Sequence, residues 1–300
     1  NYTLNSNKSF MNIRNSKGVF LMLVGVLIVP WLDGFAKLLG QSLPFLEVAW
    51  VRFAIQFMLI LPLAFYRFGR NMFNIRLFKL QIIRGTLLVL ASTLFFASLR
   101  TMEIADAIAV FFVHPLLTVM IAPILLGEKV RYRQILAVLV GLSGALLVIR
   151  PGMNNFDWNS LYALATGVFF SGYILLGKHL VGQDSLIKVL LINGLVGTIL
   201  IPFGSILINF LEPNVWIIPN GIEWIWIIAM GSIGLVGHYF IIKALEYSSA
   251  SRLAPLGYFE IIGSVLVGLF VFGDLPNIWT WAGIVVIVVS GLYVTLIKIK

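Results

Sequence analysis

The sequence predicts an all-α membrane protein of ten transmembrane helices, arranged as two inverted repeats of five helices each. Three observations support this prediction. The composition is 60% hydrophobic and only 11% charged, with a mean hydropathy of +1.01, which is unlike a soluble domain. Ten apolar segments are each long enough to cross a bilayer. Two of these segments, one in each half, match in pattern and carry one ionisable residue near the middle.

The segments are assigned by the rule that about 20 apolar residues span the hydrocarbon core. Residues 1–18 are polar, and we expect a disordered cytoplasmic tail there. Repeat 1 (19–149) contains the predicted helices 19–39, 46–66, 80–101, 105–126 and 132–149. A linker at 150–159 separates the two repeats. Repeat 2 (160–300) contains the predicted helices 160–180, 187–211, 224–246, 251–272 and 279–297.

The basic residues predict the orientation. All but four of the 21 Lys and Arg residues fall in or beside loops on one side of the predicted membrane; the exceptions are Lys37, Arg52, Arg100 and Arg150. Because cytoplasmic loops carry an excess of Lys and Arg, both termini are expected in the cytoplasm, in a multi-pass protein of the inner (plasma) membrane. Five helices per half is an odd number, so the second repeat enters from the opposite side.

Composition and motifs argue against several other functions. The chain has no cysteine, which excludes thiol catalysis and Cys-ligated zinc. Its net charge of +9 is better explained by membrane topology than by nucleic acid binding. The run Gly172–His179 resembles a P-loop but lacks the Ser or Thr that binds magnesium. We expect no enzyme activity, no cofactor, no metal and no nucleic acid partner.

Two matched segments organise the chain: Ala107–Glu128, with His114 near its middle, and Leu253–Asp274, with Glu260 at the corresponding place. A carboxylate at the bilayer centre costs roughly 2.5–3.5 kcal/mol, so such residues face the protein interior and mark functional sites. We expect Glu260 to bind a cationic group, a proton, or each in turn. The alternative is a protonated Glu260 that only hydrogen-bonds a neighbouring helix.

His114 precedes Pro115, which lacks an N–H and leaves the carbonyl of Phe111 without its helical donor. A kink beside an imidazole suits the wall of a cavity, although His114 could also simply pack there. Three further residues are candidates for lining a substrate path, because aromatic faces are good surfaces for cations. These are His238, Tyr173 and Tyr258. The alternative is that all three are buried and satisfied by their neighbours.

Charged residues near the ends of the first two helices predict a gate. Asp33 and Lys37 are one helical turn apart and can form an intrahelical pair, and Arg52 begins helix 2 on the same side. These three residues are candidates for salt bridges that open and close during transport. The alternative is an interfacial network in which Lys37 and Arg52 extend to the membrane surface.

The two halves also share a sequence pattern. In the first half it comprises Ala97, Ala105-Asp106-Ala107, Pro115 and Gly127-Glu128. In the second half it comprises Ala244-Leu245, Ala250-Ser251, Ala254-Pro255-Leu256, Tyr258-Phe259-Glu260 and Gly273-Asp274. The pattern resembles the EamA family of the drug/metabolite transporter superfamily. Further matches resemble the branch that includes S-adenosylmethionine uptake transporters; these are Asp33-x-x-x-Lys37, Trp50-Val51-Arg52-Phe53 and Arg84-Gly85.

This resemblance implies a secondary transporter of small polar metabolites that works by alternating access around a midplane cavity. Solutes similar to S-adenosylmethionine or to amino acids are expected, with a coupling proton as a further partner and the lipid bilayer as the environment. An alternative within the same class is a broad-specificity exporter of amino acids or drugs. A membrane-embedded enzyme and a passive channel are the alternatives from other classes.

Overall fold

A computed structural model of the protein describes residues 2–126, 132–150, 157–180, 182–208, 216–248 and 253–299. Every regular element in those ranges is helical. Repeat 1 contains α1 (Tyr2–Leu39), α2 (Phe45–Phe68), α3 (Phe78–Ser98), α4 (Ile104–Phe111), α5 (His114–Leu126) and α6 (Tyr132–Ile149). Repeat 2 contains α7 (Ser160–His179), α8 (Leu186–Ile208), α9 (Gly221–Tyr247), α10 (Phe259–Val267) and α11 (Ile278–Ile299).

The predicted count of ten membrane-crossing segments is confirmed. Eight helical stretches in the described ranges are long and apolar enough to cross a membrane, and two shorter apolar ones follow at Leu256–Phe272 and Ile278–Tyr293. The fourth crossing is built from α4 and α5 together, and the ninth is built around α10. Glu128 and linker residues 151–156 lie outside the described ranges.

The first helix differs from the prediction. It begins at Tyr2 rather than near residue 19, so the polar segment expected to be disordered is helical. Once the apolar run has nucleated a helix, each added residue gains a hydrogen bond without a new nucleation cost. Helix formation therefore extends past the end of the apolar segment.

The fourth crossing is broken, although the sequence predicted one helix there. Helix α4 ends at Phe111 and α5 begins at His114, where Pro115 cannot donate to the Phe111 carbonyl. Helix α7 passes close to the break at Gly167. A Cβ at Gly167 would lie 3.3 Å from the Phe111 carbonyl oxygen, so a glycine is needed for this close approach.

The ninth crossing changes helix type along its length, whereas the sequence predicted a single helix there. It begins with a 3₁₀ segment at Ala254–Tyr258, continues as α10, and ends in a π-helical turn at Gly268–Phe272. Gly273 then adopts a φ of 73°, a conformation that favours glycine, and the chain turns toward α11. The fourth and ninth crossings therefore both depart from a regular α-helix.

Helix packing follows a two-fold pattern. Each pair of packed helices has an equivalent pair, which is found by replacing each crossing with the one five positions earlier or later in the chain. Helix α1 packs on α9, and the equivalent pair is α3 on α7. Helix α1 also packs on α10, as α7 packs on α4 and α5. The pairs α2–α8 and α6–α11 each join equivalent helices of the two repeats, so the two-fold relation leaves these pairs unchanged. This is the arrangement expected of two inverted five-helix repeats. The residue limits of each repeat stay predictions.

Helices α6 and α11 cross at Gly144 and Gly283. A Cβ on Gly283 would lie 2.7 Å from the Gly144 carbonyl oxygen, and one on Gly144 would lie 3.0 Å from the Gly283 carbonyl oxygen. Such close backbone contact between small residues is a common way for helices to associate in membranes, where water does not drive the apolar surfaces together.

Candidate functional site

The two ionisable residues predicted at mid-membrane both lie where the backbone departs from a regular α-helix. His114 is the first residue of α5, and Glu260 is the second residue of α10. Tyr258 ends the 3₁₀ segment just before Glu260. Irregular backbone inside a membrane is stable only where protein or water surrounds it, so breaks of this kind are typical of solute sites.

Glu260 belongs to a group of charges contributed by both repeats. Its carboxylate lies close enough to Asp33 of α1 to interact electrostatically, and Asp33 interacts in the same way with Arg52 of α2. Asp33 and Arg52 are each only 4% exposed. The first and second repeats therefore contribute one carboxylate each to a site inside the bundle.

Arg52 makes further contacts that hold it inside the protein. Its guanidinium donates a hydrogen bond to the Ser92 hydroxyl and stacks 4.7 Å from the centre of the Phe53 ring. Its Nε is buried without a hydrogen-bond partner in the described residues. Arg52 was predicted to form salt bridges near the outer end of helix 2; in the structure it is buried inside the bundle and interacts with Asp33.

His238 of α9 also interacts electrostatically with Arg52. Its Nδ1 lies 2.8 Å from the Gly234 carbonyl oxygen. A carbonyl can only accept, so Nδ1 carries a proton and donates it. In the neutral imidazole, Nε2 is then left as an acceptor.

Tyr173 of α7 connects Arg52 with a second buried arginine. Arg84 Nη2 donates to the Tyr173 hydroxyl at 3.1 Å, and its guanidinium stacks 4.5 Å from the centre of the same ring. Arg52 and Tyr173 also interact electrostatically. The sequence predicts Arg84 at the inner rim of the membrane; in the structure it is packed against α7 and is only 9% exposed.

His114 lies in an aromatic cluster formed by Phe111, Phe112, His114 and Phe170. Its ring is 4.7 Å from Phe111, 5.7 Å from Phe112 and 4.9 Å from Phe170, measured between ring centres. Its Nδ1 is buried without a hydrogen-bond partner in the part of the chain described. The imidazole therefore forms part of an apolar wall with one unused polar atom.

The aromatic cluster continues on both sides. Phe112 is 5.3 Å from Tyr258, and Phe170 is 5.5 Å from Tyr173. The Ser171 hydroxyl donates to the His114 carbonyl at 2.9 Å, which fastens α7 to the start of α5. The aromatic rings thus connect the Glu260 side of the site with the side that carries Tyr173 and Arg84.

The predicted gate has different pairs from those expected. Lys37 Nζ lies 2.8 Å from Asp274 Oδ2, after the end of the ninth crossing, and 4.7 Å from the centre of the Phe272 ring. The expected intrahelical pair of Asp33 with Lys37 was therefore wrong. Burial directs Asp33 toward Arg52, while Lys37 sits nearer the end of the helix and finds Asp274.

Several other polar contacts join the repeats at this same end of the bundle, which we call the Lys37 end. The Ser42 hydroxyl donates to Glu223, and the Thr280 hydroxyl donates to Asp106. Glu103, just before α4, is close to Asp106 and Asp274. Burial and the two neighbouring carboxylates raise the pKa of Glu103, and Lys37 and Arg150 offset part of this effect.

The site can bind a positively charged group between the carboxylates of Asp33 and Glu260, with aromatic faces beside it. Sequence reasoning found the ionisable residues, because any charge in an apolar run is conspicuous. It missed Phe111, Phe112 and Phe170, since aromatic residues in a membrane helix carry no separate signal. No group of three or more His, Asp or Glu residues in the described ranges is placed to hold a metal ion.

Comparison with known proteins gives consistent relatives. The chain is 27% identical to an S-adenosylmethionine uptake transporter of Rickettsia felis over 263 residues, 87% of this chain and 86% of that protein. It is 29% identical to a riboflavin transporter of Vibrio cholerae over 256 residues, 85% of this chain and 84% of that protein. A solved crystal structure with 22% identity has a TM-score of 0.62 and aligns over 94% of this chain and 97% of that chain.

The family comparison agrees with the fold and with the named relatives, which are transporters and not enzymes. The profile of the EamA-like transporter family matches residues 16–150 and 157–296, which together make up most of the protein. The chain therefore belongs to the EamA-like transporter family, a group of multi-pass membrane proteins that move small metabolites.

Proposed function

We propose that this protein is a secondary transporter that binds a solute with a positively charged group near the bilayer midplane and releases it by alternating access. The observation that carries the proposal is the electrostatic interaction of Asp33 with Glu260, two carboxylates from opposite repeats, at the point where the ninth crossing changes from 3₁₀ to α-helix. A site shared by the two repeats changes its access when one repeat moves against the other.

The solutes we propose are S-adenosylmethionine-like or amino-acid-like. A sulfonium or ammonium group suits two carboxylates with aromatic faces nearby, because the ring faces attract cations. Tyr258 and the aromatic cluster supply such faces, with His114 among them. The Rickettsia felis relative is named as an S-adenosylmethionine uptake transporter, which supports this choice. Glu260 is proposed to bind the cation and a coupling proton in turn.

The proposed gate lies at the Lys37 end, where Lys37 joins α1 to Asp274. Asp33 and Arg52 form the inner part of the gate in this proposal, since both are buried, Asp33 interacts with Glu260 and Arg52 interacts with Asp33. We propose that the Lys37 end faces away from the cytoplasm, with both termini cytoplasmic and the protein in the inner membrane, as the distribution of basic residues indicates.

The experiment is a counterflow assay in proteoliposomes, using S-adenosylmethionine and a panel of amino acids between pH 5 and pH 8. A carboxylate binds a cation only when ionised, so we expect transport by the native protein to fall in acid. Glu260→Gln should transport cationic solutes at least about tenfold more slowly, the effect of losing a charge-assisted contact. Its fall in acid should also be smaller, because Asp33 is then the remaining carboxylate of this pair.

The matched control is Glu246→Gln, the same chemical change at an exposed carboxylate near the end of α9. Native rates are expected for it at every pH. Equal rates for Glu260→Gln and the native protein across the whole pH range would rule out the proposed role of Glu260.

A second candidate is a transporter of flat, neutral aromatic solutes. The aromatic cluster favours it, and the Vibrio cholerae relative is named as a riboflavin transporter. The two proposals differ in their dependence on charge. Riboflavin counterflow that is unaffected by Glu260→Gln but reduced by Phe170→Ala would support this second function over the first.

A further inference from the structure

Arg84 is a buried charge with very little compensation. It is more than nine-tenths buried, yet its only hydrogen-bond partner in the described ranges is the neutral hydroxyl of Tyr173. Its Nε is buried and has no partner there. A guanidinium is costly inside a membrane protein unless an anion satisfies it, so its unused donor points to an anionic ligand.

The helix packed against Arg84 leaves room for this side chain. A Cβ on Gly177 of α7 would lie 3.1 Å from Arg84 Nε and 3.2 Å from Nη2, closer than an ordinary contact, so the glycine leaves room for the guanidinium against α7. The Tyr173 ring stacks on it one turn earlier on the same helix. The guanidinium is thus oriented before any ligand arrives, which reduces the entropy lost on binding.

Arg84 also continues the line of charges at the central site. Glu260 is coupled to Asp33, Asp33 to Arg52, and Arg52 to Tyr173, whose hydroxyl accepts from Arg84. Ring contacts also connect the Glu260 side of the site with Arg84, through Tyr258, Phe112, His114, Phe170 and Tyr173. A solute that carries both charges would match the carboxylates on one side and Arg84 on the other.

We propose that Arg84 binds the carboxylate of a zwitterionic solute whose cationic group lies at Asp33 and Glu260. This rests on the proposed function and extends it, because it names the second half of the solute and the residue that selects it. The planar guanidinium fork matches a carboxylate with two parallel hydrogen bonds, and a lysine cannot reproduce that geometry.

The test uses two solutes that differ only in the carboxylate: S-adenosylmethionine and decarboxylated S-adenosylmethionine. For Arg84→Gln we expect the KM of S-adenosylmethionine in counterflow to rise by roughly tenfold or more, while the KM of the decarboxylated compound stays unchanged. Arg84→Lys should give an intermediate rise for the first solute only. Arg100→Gln is the matched control, since Arg100 also stacks on an aromatic ring but lies exposed at the Lys37 end.

Equal changes for both solutes in Arg84→Gln would overturn the proposal and leave a structural role for Arg84. Equal KM values for the two solutes in the native protein would overturn it as well, while leaving the proposed transport function intact. If neither compound is transported, thermal-shift measurements decide between the outcomes. They compare the binding of lysine with that of cadaverine, and the binding of arginine with that of agmatine, since each amine lacks only the carboxylate of its amino acid. Preference for the amines, or no preference, overturns the carboxylate site.

Discussion

Lys37 and Asp274 form an ion pair whose side chains are 17% and 29% exposed. Partly exposed pairs contribute roughly 0.2–1 kcal/mol, too little to decide whether the protein folds. The same energy is large enough to shift the balance between two conformations that differ little in free energy. A residue contact of this kind therefore matters more for opening the Lys37 end than for stability.

We expect Lys37→Ala to make the Lys37 end open more often. The chain has no cysteine, so a single Ala105→Cys at a position 4% exposed in this structure reports opening without background. Its labelling by a membrane-impermeant maleimide should become about 1.5- to 5-fold faster, the range that follows from the strength of such a pair.

The exchanged pair Lys37→Asp with Asp274→Lys should bring the labelling rate back toward native. Lys243→Ala, which removes a pair within α9 away from this end, serves as the control and should leave the rate unchanged. Unaltered labelling in Lys37→Ala would show that the pair does not hold this end closed.

At the scale of elements, the fourth and ninth crossings depart from a regular α-helix for different reasons. The break between α4 and α5 follows from Pro115, whose missing N–H prevents a continuous hydrogen-bond ladder. The ninth crossing instead starts as a 3₁₀ segment that changes to α-helix at Phe259. Such junctions act as hinges because fewer backbone hydrogen bonds hold them.

Pro115→Ala is expected to slow transport several-fold while leaving thermal stability unchanged or higher. The alanine supplies the N–H that Phe111 lacks, so α4 and α5 can join and the hinge stiffens. Counterflow rates and melting temperature in detergent measure the two effects. Pro62→Ala, a proline inside α2 and outside the central site, should not slow transport. Equal slowing by both would argue against a hinge at Pro115.

The crossing of α6 and α11 sets a second expectation. Gly283→Ala should destabilise the protein by about 1–3 kcal/mol, because its Cβ meets the backbone of α6, which cannot move aside. Gly204→Ala is the matched control in α8, with open space around the added Cβ. It should be stabilising by about 0.5–1 kcal/mol. Melting temperatures in detergent compare them, and equal shifts would contradict the packing described.

At the scale of the whole molecule, the number of crossings determines on which side of the membrane each part of the chain lies. Ten crossings return the chain to the side on which it started, and five crossings do not. A fluorescent protein fused after the last residue should therefore fluoresce in the cytoplasm. Alkaline phosphatase fused after Asn159, following five crossings, should be active outside it. An active phosphatase at the C-terminus would reverse the proposed orientation.

Hydropathy predicted the ten crossings well, because lipid requires long apolar segments whatever the packing. It also found Glu260, since a lone carboxylate stands out in such a segment. The partners of each charge were not predictable: Lys37 is one turn from Asp33 in sequence, yet tertiary contacts give it Asp274. The partner of Arg84 was not predictable either, because its burial against Tyr173 depends on how α3 and α7 pack.

The two-fold helix pairing has a thermodynamic consequence, because the helices are arranged symmetrically while the residues at the start of α5 and of α10 differ. His114 and Glu260 occupy equivalent places, so the site presents different chemistry when it opens to each side. Half-saturation concentrations measured on the two faces of the membrane should then be unequal. If no ion is coupled and the membrane potential is held at zero, detailed balance still requires the ratio of maximal rate to half-saturation constant to be identical in both directions. A departure from that identity measures the energy that a coupled ion contributes.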